Sequence, residues 1–212
     1  MNTKLFIFGD SVALGKYDIA GGWVQRLSNF LQKRYIEGKG DEFCVYNLSI
    51  SGDTSNEIKD NFLNEIKPRL WEEYRNIIIF AIGLNDSAYV QSKKEQWIPF
   101  EEFKINLSKL IVGSKKFSGN VIFVGLYPID ESKMNPMPYD LDKSYFNADV
   151  KRYDYALQAV AKENGAEYVP IYDKFEAGDY DKLLHDGAHP NSAGHELIFE
   201  IVRNYLLENK II

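Results

Sequence analysis

The sequence predicts a doubly wound α/β sandwich with a parallel sheet of about five strands. Three observations carry that expectation. Short apolar runs alternate with segments of helical hydrophobic period along the whole chain. Two of the runs, NIIIFAI at 76–82 and NVIFVGL at 120–126, are almost continuously apolar, as strands buried on both faces must be. Polar, glycine-bearing segments follow several runs, and in such sheets ligands bind beyond the carboxyl ends of the strands.

Taken in order, Lys4 to Phe8 is the first strand. Trp23, Leu27, Phe30 and Leu31 then recur at helical spacing, with Arg34 at the polar edge. Phe43 to Leu48 is the second strand and holds the only cysteine, Cys44, which reads as a buried strand residue rather than a nucleophile. A helix is expected from about Asn56 to Tyr74, with Pro68 inside it as a kink or break. Asn76 to Ile82 is the third strand. Phe103, Leu107, Leu110 and Ile111 mark the next helix, and Asn120 to Leu126 the fourth strand. The segment 128–147 has three prolines and no period, and reads either as a surface loop or as a flap over a site. Val150, Tyr153, Leu157 and Val160 give a further helix, and Glu167 to Val169 the last strand. Leu197, Ile198, Ile201, Val202, Tyr205 and Leu206 give the final helix.

The length of 212 residues suits one domain, 1–212. The net charge of −6 and the lack of a basic face argue against a nucleic-acid partner. A single cysteine forms no internal disulfide, and the apolar run at 5–8 is too short for a signal peptide and is soon followed by Asp10, so a cytoplasmic location is expected. No stretch reaches the ~20 apolar residues of a membrane span. Oligomeric state is not legible.

The first strand ends in Gly9-Asp10-Ser11. A helix cap, a phosphate loop and a nucleophile each explain a serine there. The phosphate loop fails on spacing: five residues separate Gly9 from Gly15-Lys16, and Tyr17 stands where a hydroxyl would hold magnesium. A cap accounts for Asp10 or Ser11 alone. A nucleophile needs a base, a group to orient that base, and donors for an oxyanion.

Of three histidines, His189 is the best base, because Asp186 lies three residues earlier with only Gly187 and Ala188 between them. His185 is a weaker alternative, and His195 falls inside the final helix as a structural residue. Pro190 suits the approach to that helix, with Asn191 or Ser192 as its cap. Oxyanion donors are available as the N–H of Ser11, the N–H of Gly52 after the second strand, and the amide of Asn85 after the third. Asp53 and Asp86 read as turn residues. Met134, Pro136, Met137, Pro138 and Tyr139 are candidates for an adaptable apolar wall.

Four ordered blocks, FGDSVALG with Ser11, NLSISGDTS with Gly52, GLND with Asn85, and DGAHPN with Asp186 and His189, resemble the SGNH hydrolase superfamily of GDSL esterases and lipases. The blocks spread over residues 9–191, and one departure is Val12, where the family often has leucine. The resemblance implies a flavodoxin-like three-layer α/β/α sandwich and metal-free hydrolysis of carboxylic esters or thioesters, without a cofactor. It implies Ser11 as nucleophile, His189 as base, Asp186 orienting it, and Ser11, Gly52 and Asn85 as the oxyanion hole. Expected substrates are small-molecule esters or thioesters of small or medium acyl groups, or acetylated sugars. Two rivals are a metal-dependent phosphoesterase using Asp10, Asn85, Asp186 and His189 as ligands, and a non-catalytic acyl- or sugar-binding module.

Overall fold

All seven residues of Thr3–Gly9 are buried, which makes this run an interior strand. In the computed structural model, which describes residues 2–212, it is β1 of a parallel sheet. The chain continues through α1 (Ser11–Leu14), α2 (Gly22–Ile36), β2 (Phe43–Asn47), α3 (Ser55–Ile66), β3 (Arg75–Ala81), α4 (Leu84–Ser87), β4 (Tyr89–Val90) and β5 (Glu95–Gln96). It then forms α5 (Phe100–Ser114), β6 (Asn120–Val124), α6 (Glu131–Met134), β7 (Lys143–Ser144), α7 (Asn147–Glu163), β8 (Glu167–Val169), α8 (Tyr172–Glu176) and α9 (Ser192–Glu208).

Five strands in the order β2-β1-β3-β6-β8 form the sheet, every neighbouring pair parallel. The order reverses between β1 and β3, which is the switch point where a doubly wound sheet opens a crevice at its strand tips. Side chains alternate across the sheet. On one face Phe8 meets Phe62 of α3 at 5.2 Å and Phe80 of β3 at 5.5 Å between ring centroids. The helices pack in two groups, α2 with α9 and α3 through α5 to α7.

Two expectations need correction, and a third gains detail. The helix foreseen at 56–74 ends at Ile66 and passes into a 3₁₀ turn, Lys67–Arg69. Pro68 has no N–H for the α-helical bond and its ring crowds the preceding turn, so it breaks the helix rather than bending it. Cys44 does lie on a strand, but β2 is the sheet edge and the thiol is exposed. The segment 128–147 runs over the surface, with Tyr139 and Leu141 exposed, but it is pinned by Ile129, Met134, Met137 and Tyr145, which are buried. It contains α6 and β7, and β7 joins β4 and β5 in a small antiparallel sheet that no periodicity announced, because each strand is two residues long. No helix is long and apolar enough to cross a membrane among the described residues.

Candidate active site

Gly9 lets the first strand turn at the switch point. A Cβ there would lie 2.6 Å from Ala13 Cβ and 2.8 Å from the Ala81 carbonyl oxygen, so no larger residue fits. Asp10 then caps α1, its Oδ1 accepting the Val12 N–H at 2.8 Å. Ser11 is the first residue of that short helix, where the backbone N–H has no partner inside the helix. The cap and the candidate nucleophile are thus adjacent residues, and the two readings do not compete. Burial chiefly, against the Val12 hydrogen bond and the nearby imidazole, raises the Asp10 carboxyl to a pKa of about 6.

The segment before α9 folds on one carboxylate. Asp186 Oδ1 accepts the N–H groups of Ala188 at 3.0 Å and His189 at 2.8 Å, closing a tight turn. Asp186 Oδ2 lies 2.8 Å from His189 Nδ1, and His189 Nε2 lies 2.9 Å from Ser11 Oγ. A carboxylate only accepts, so Nδ1 carries the proton and Nε2 presents its lone pair to the serine O–H. Burial pushes the Asp186 carboxyl up, but the hydrogen bonds from the His189 ring and from the two N–H groups outweigh it and hold it well below the usual carboxylate range. It is therefore ionised wherever the protein is folded near neutrality.

The other two histidines are placed elsewhere. His185 stacks on Tyr17 with ring centroids 4.3 Å apart. His195 is fully buried in α9, and its Nε2 lies 3.2 Å from the Lys16 carbonyl oxygen. Asn191 caps α9, accepting from Ala193 N–H and Gly194 N–H.

The second and third strand tips complete the crevice. Gly52 has φ +91°, a left-handed conformation, and an added Cβ would meet no atom beyond the adjoining residues within 4 Å. Its glycine is therefore required by backbone angle, not by crowding, and its surroundings are open. Asn85 lies in α4; its Nδ2 donates to the Asp53 carbonyl at 2.9 Å and its Oδ1 accepts from the Tyr145 hydroxyl at 2.9 Å. Asp86 is fully buried and both its oxygens accept the Ser55 N–H, at 3.0 and 3.2 Å, tying the third tip to the start of α3. Asp86 lies within α4 rather than in a turn, and the Asp53 main-chain carbonyl holds Asn85.

Ser11, Gly52, Asn85 and His189 line one cleft of about 240 Å³. Met137, Tyr139 and Tyr145 line it too, so the 128–147 segment borders the site. Of the five residues expected to form an apolar wall, Met137 and Tyr139 line the cleft, whereas Met134, which is buried, Pro136 and Pro138 do not. Sequence reasoning missed Tyr145, one of 14 tyrosines and unmarked by any local pattern, and it missed the Asp53 carbonyl. Among the described residues no three His, Cys, Asp or Glu side chains are grouped to hold a metal. Asp10 is spent on its cap, and both ring nitrogens of His189 are engaged by Asp186 and Ser11.

A hydroxyl bonded to an imidazole, itself bonded to a carboxylate, can lose its proton while it attacks an electrophilic carbon. Set at the switch point of a parallel sheet, this arrangement has the form of a serine-type ester hydrolase. Residues 7–197 match the GDSL-like Lipase/Acylhydrolase family. The chain belongs to that family and is an esterase of the carboxylic ester hydrolase class. It is 24% identical to the isoamyl acetate-hydrolyzing esterase 1 homolog of Bos taurus, over 92% of this chain and 78% of the relative. It is 26% identical to esterase TesA of Pseudomonas aeruginosa, over 93% and 85% respectively. Its fold is similar to that of Axe2, an acetylxylan esterase from Geobacillus stearothermophilus, with a TM-score of 0.73 and 20% identity over 97% of this chain and 93% of the other.

Proposed function

We propose that the protein hydrolyses esters of small or medium acyl groups through an acyl-enzyme on Ser11. The observation that carries this reading is the pair of hydrogen bonds from Ser11 Oγ to His189 Nε2 and from His189 Nδ1 to Asp186, at 2.9 and 2.8 Å. Ser11 Oγ bonds to the acyl carbon as its proton passes to His189 Nε2. Asp186, kept ionised by its hydrogen bonds, stabilises the imidazolium. The carbonyl oxygen takes up the electron pair and is met by the N–H groups of Ser11 and Gly52 and by the Asn85 amide. The bond to the alcohol or thiol then breaks, and His189 returns its proton to that leaving group. Water repeats the sequence on the acyl-enzyme, releasing the acid and restoring Ser11.

A cleft of about 240 Å³ walled by Met137 and Tyr139 suits a short acyl chain better than a long one. Isoamyl acetate and acetylxylan, in the names of two similar proteins, are both acetyl esters, which supports acetyl esters of alcohols or sugars as the first substrates to test. Thioesters are open to the same chemistry. The test compares p-nitrophenyl esters of increasing chain length, an acetyl thioester and an acetylated sugar, with the wild type and Ser11→Ala. Turnover is expected to be highest with short chains and to fall on the order of 10⁴-fold or more in the variant. Retained turnover in Ser11→Ala would remove the nucleophile from this account.

A further inference from the structure

One buried hydroxyl reaches the cleft and has no part in the mechanism above. The Tyr145 side chain is buried, and its O–H donates to Asn85 Oδ1 at 2.9 Å. The Asn85 amide is thereby held at both ends: Oδ1 by the phenol, and one N–H by the Asp53 carbonyl at 2.9 Å. Flipping the amide would set Oδ1 against the Asp53 carbonyl, two acceptors with no proton between them. The second N–H is left for the cleft that Asn85 shares with Ser11.

The local architecture fixes the distance between the two residues. Asn85 lies four residues before Tyr89 of β4, and Tyr145 directly follows Ser144 of β7. Tyr89 and Ser144 are register partners in the β4–β7 ladder. Tyr145 N–H also donates to the Met134 carbonyl at 3.0 Å, anchoring the residue to α6. The small sheet therefore acts as a ruler between the third strand tip and the 128–147 segment. Burial first, then the neighbouring acidic groups, pushes the Tyr145 phenol well above its ordinary pKa, so it remains a donor.

We propose that Tyr145 is a positioning residue of the oxyanion site: its O–H holds Asn85 Oδ1 so that the free amide N–H is aimed at the substrate carbonyl oxygen as charge develops there. Donation into Oδ1 also polarises the amide and strengthens that N–H as a donor. The proposal rests on the reading of Asn85 as an oxyanion donor.

The test is a double-mutant cycle on a p-nitrophenyl ester, reading kcat and KM separately, with melting temperatures as a check on folding. Tyr145→Phe keeps the ring and its packing. It is expected to lower kcat about 10-fold while KM stays within about twofold, a partial version of the 10²–10³ loss from removing an oxyanion donor. Asn85→Ala is expected to show that full loss, and adding Tyr145→Phe to it to change kcat no further. Equal effects of Tyr145→Phe with and without Asn85, or an unchanged kcat in Tyr145→Phe beside an impaired Asn85→Ala, overturn the proposal alone. An unimpaired Asn85→Ala overturns the oxyanion reading, and the proposal with it.

Discussion

Asp10 and Ser11 show how much a single position carries. One caps a four-residue helix and the other opens it, so the residue that ends the strand's turn also fixes where the hydroxyl points. Gly52 carries a different constraint. Its φ of +91° is disfavoured for any residue with a Cβ, yet no atom beyond the adjoining residues lies within 4 Å of where that Cβ would be. Gly52→Ala should therefore cost about 1–2 kcal/mol through backbone strain, lowering the melting temperature by roughly 2–8 °C, and should lower kcat as the loop shifts its N–H. Calorimetry and steady-state kinetics check both, and an unchanged melting temperature would mean the loop has no need of a left-handed residue. At this scale the Asp186–His189 pair was legible from its three-residue spacing and Ser11 from its place after the first strand, whereas their meeting is visible only in the fold. Tyr145 was not legible, because its meaning comes only from the Asn85 oxygen across 60 residues of chain.

At the scale of elements, the second and third strand tips are bolted together by Asp86. Its carboxylate accepts the Ser55 N–H at the start of α3, where Thr54 and Glu57 form a capping box. Burial, opposed by the Ser55 and main-chain hydrogen bonds, lifts its pKa to about 7. An unfolded aspartate titrates near 4, so between about pH 4 and 7 the folded state binds a proton that the unfolded chain has released. The sign follows from linkage: this group's contribution to stability is greatest below that window and declines as pH rises through it. Asp86→Asn removes the titration. Its melting temperature relative to wild type should rise between pH 5 and pH 8, and parallel curves would contradict the assignment. The long strands and helices were legible because periodicity accumulates over ten or more residues. The two-residue strands β4, β5 and β7 were not, since their pairing depends on long-range contacts.

At the scale of the whole molecule, topology makes the site. With strands in the order β2-β1-β3-β6-β8, the carboxyl tips of β1 and β3 lie side by side at the reversal, and Ser11 and Asn85 follow them. The first and last parts of the chain are fastened beside that crevice. Arg26 of α2 pairs with Asp18, and also with Glu196 of α9 at 2.6 Å and Ser192 Oγ at 3.0 Å. The 128–147 segment borders the cleft through Met137, Tyr139 and Tyr145. The sheet was legible from its apolar runs, and the four polar blocks from their order. Their convergence depended on the strand order, which no single block contains.

That convergence is the central claim, and covalent trapping tests it most directly. A fluorophosphonate should react by attack of Ser11 Oγ on phosphorus with loss of fluoride, the proton leaving through His189. Peptide mass spectrometry should find one adduct per chain, on the peptide containing Ser11, and labelling should be lost in His189→Ala. An adduct elsewhere, or Ser11 labelled equally well without His189, would contradict the account.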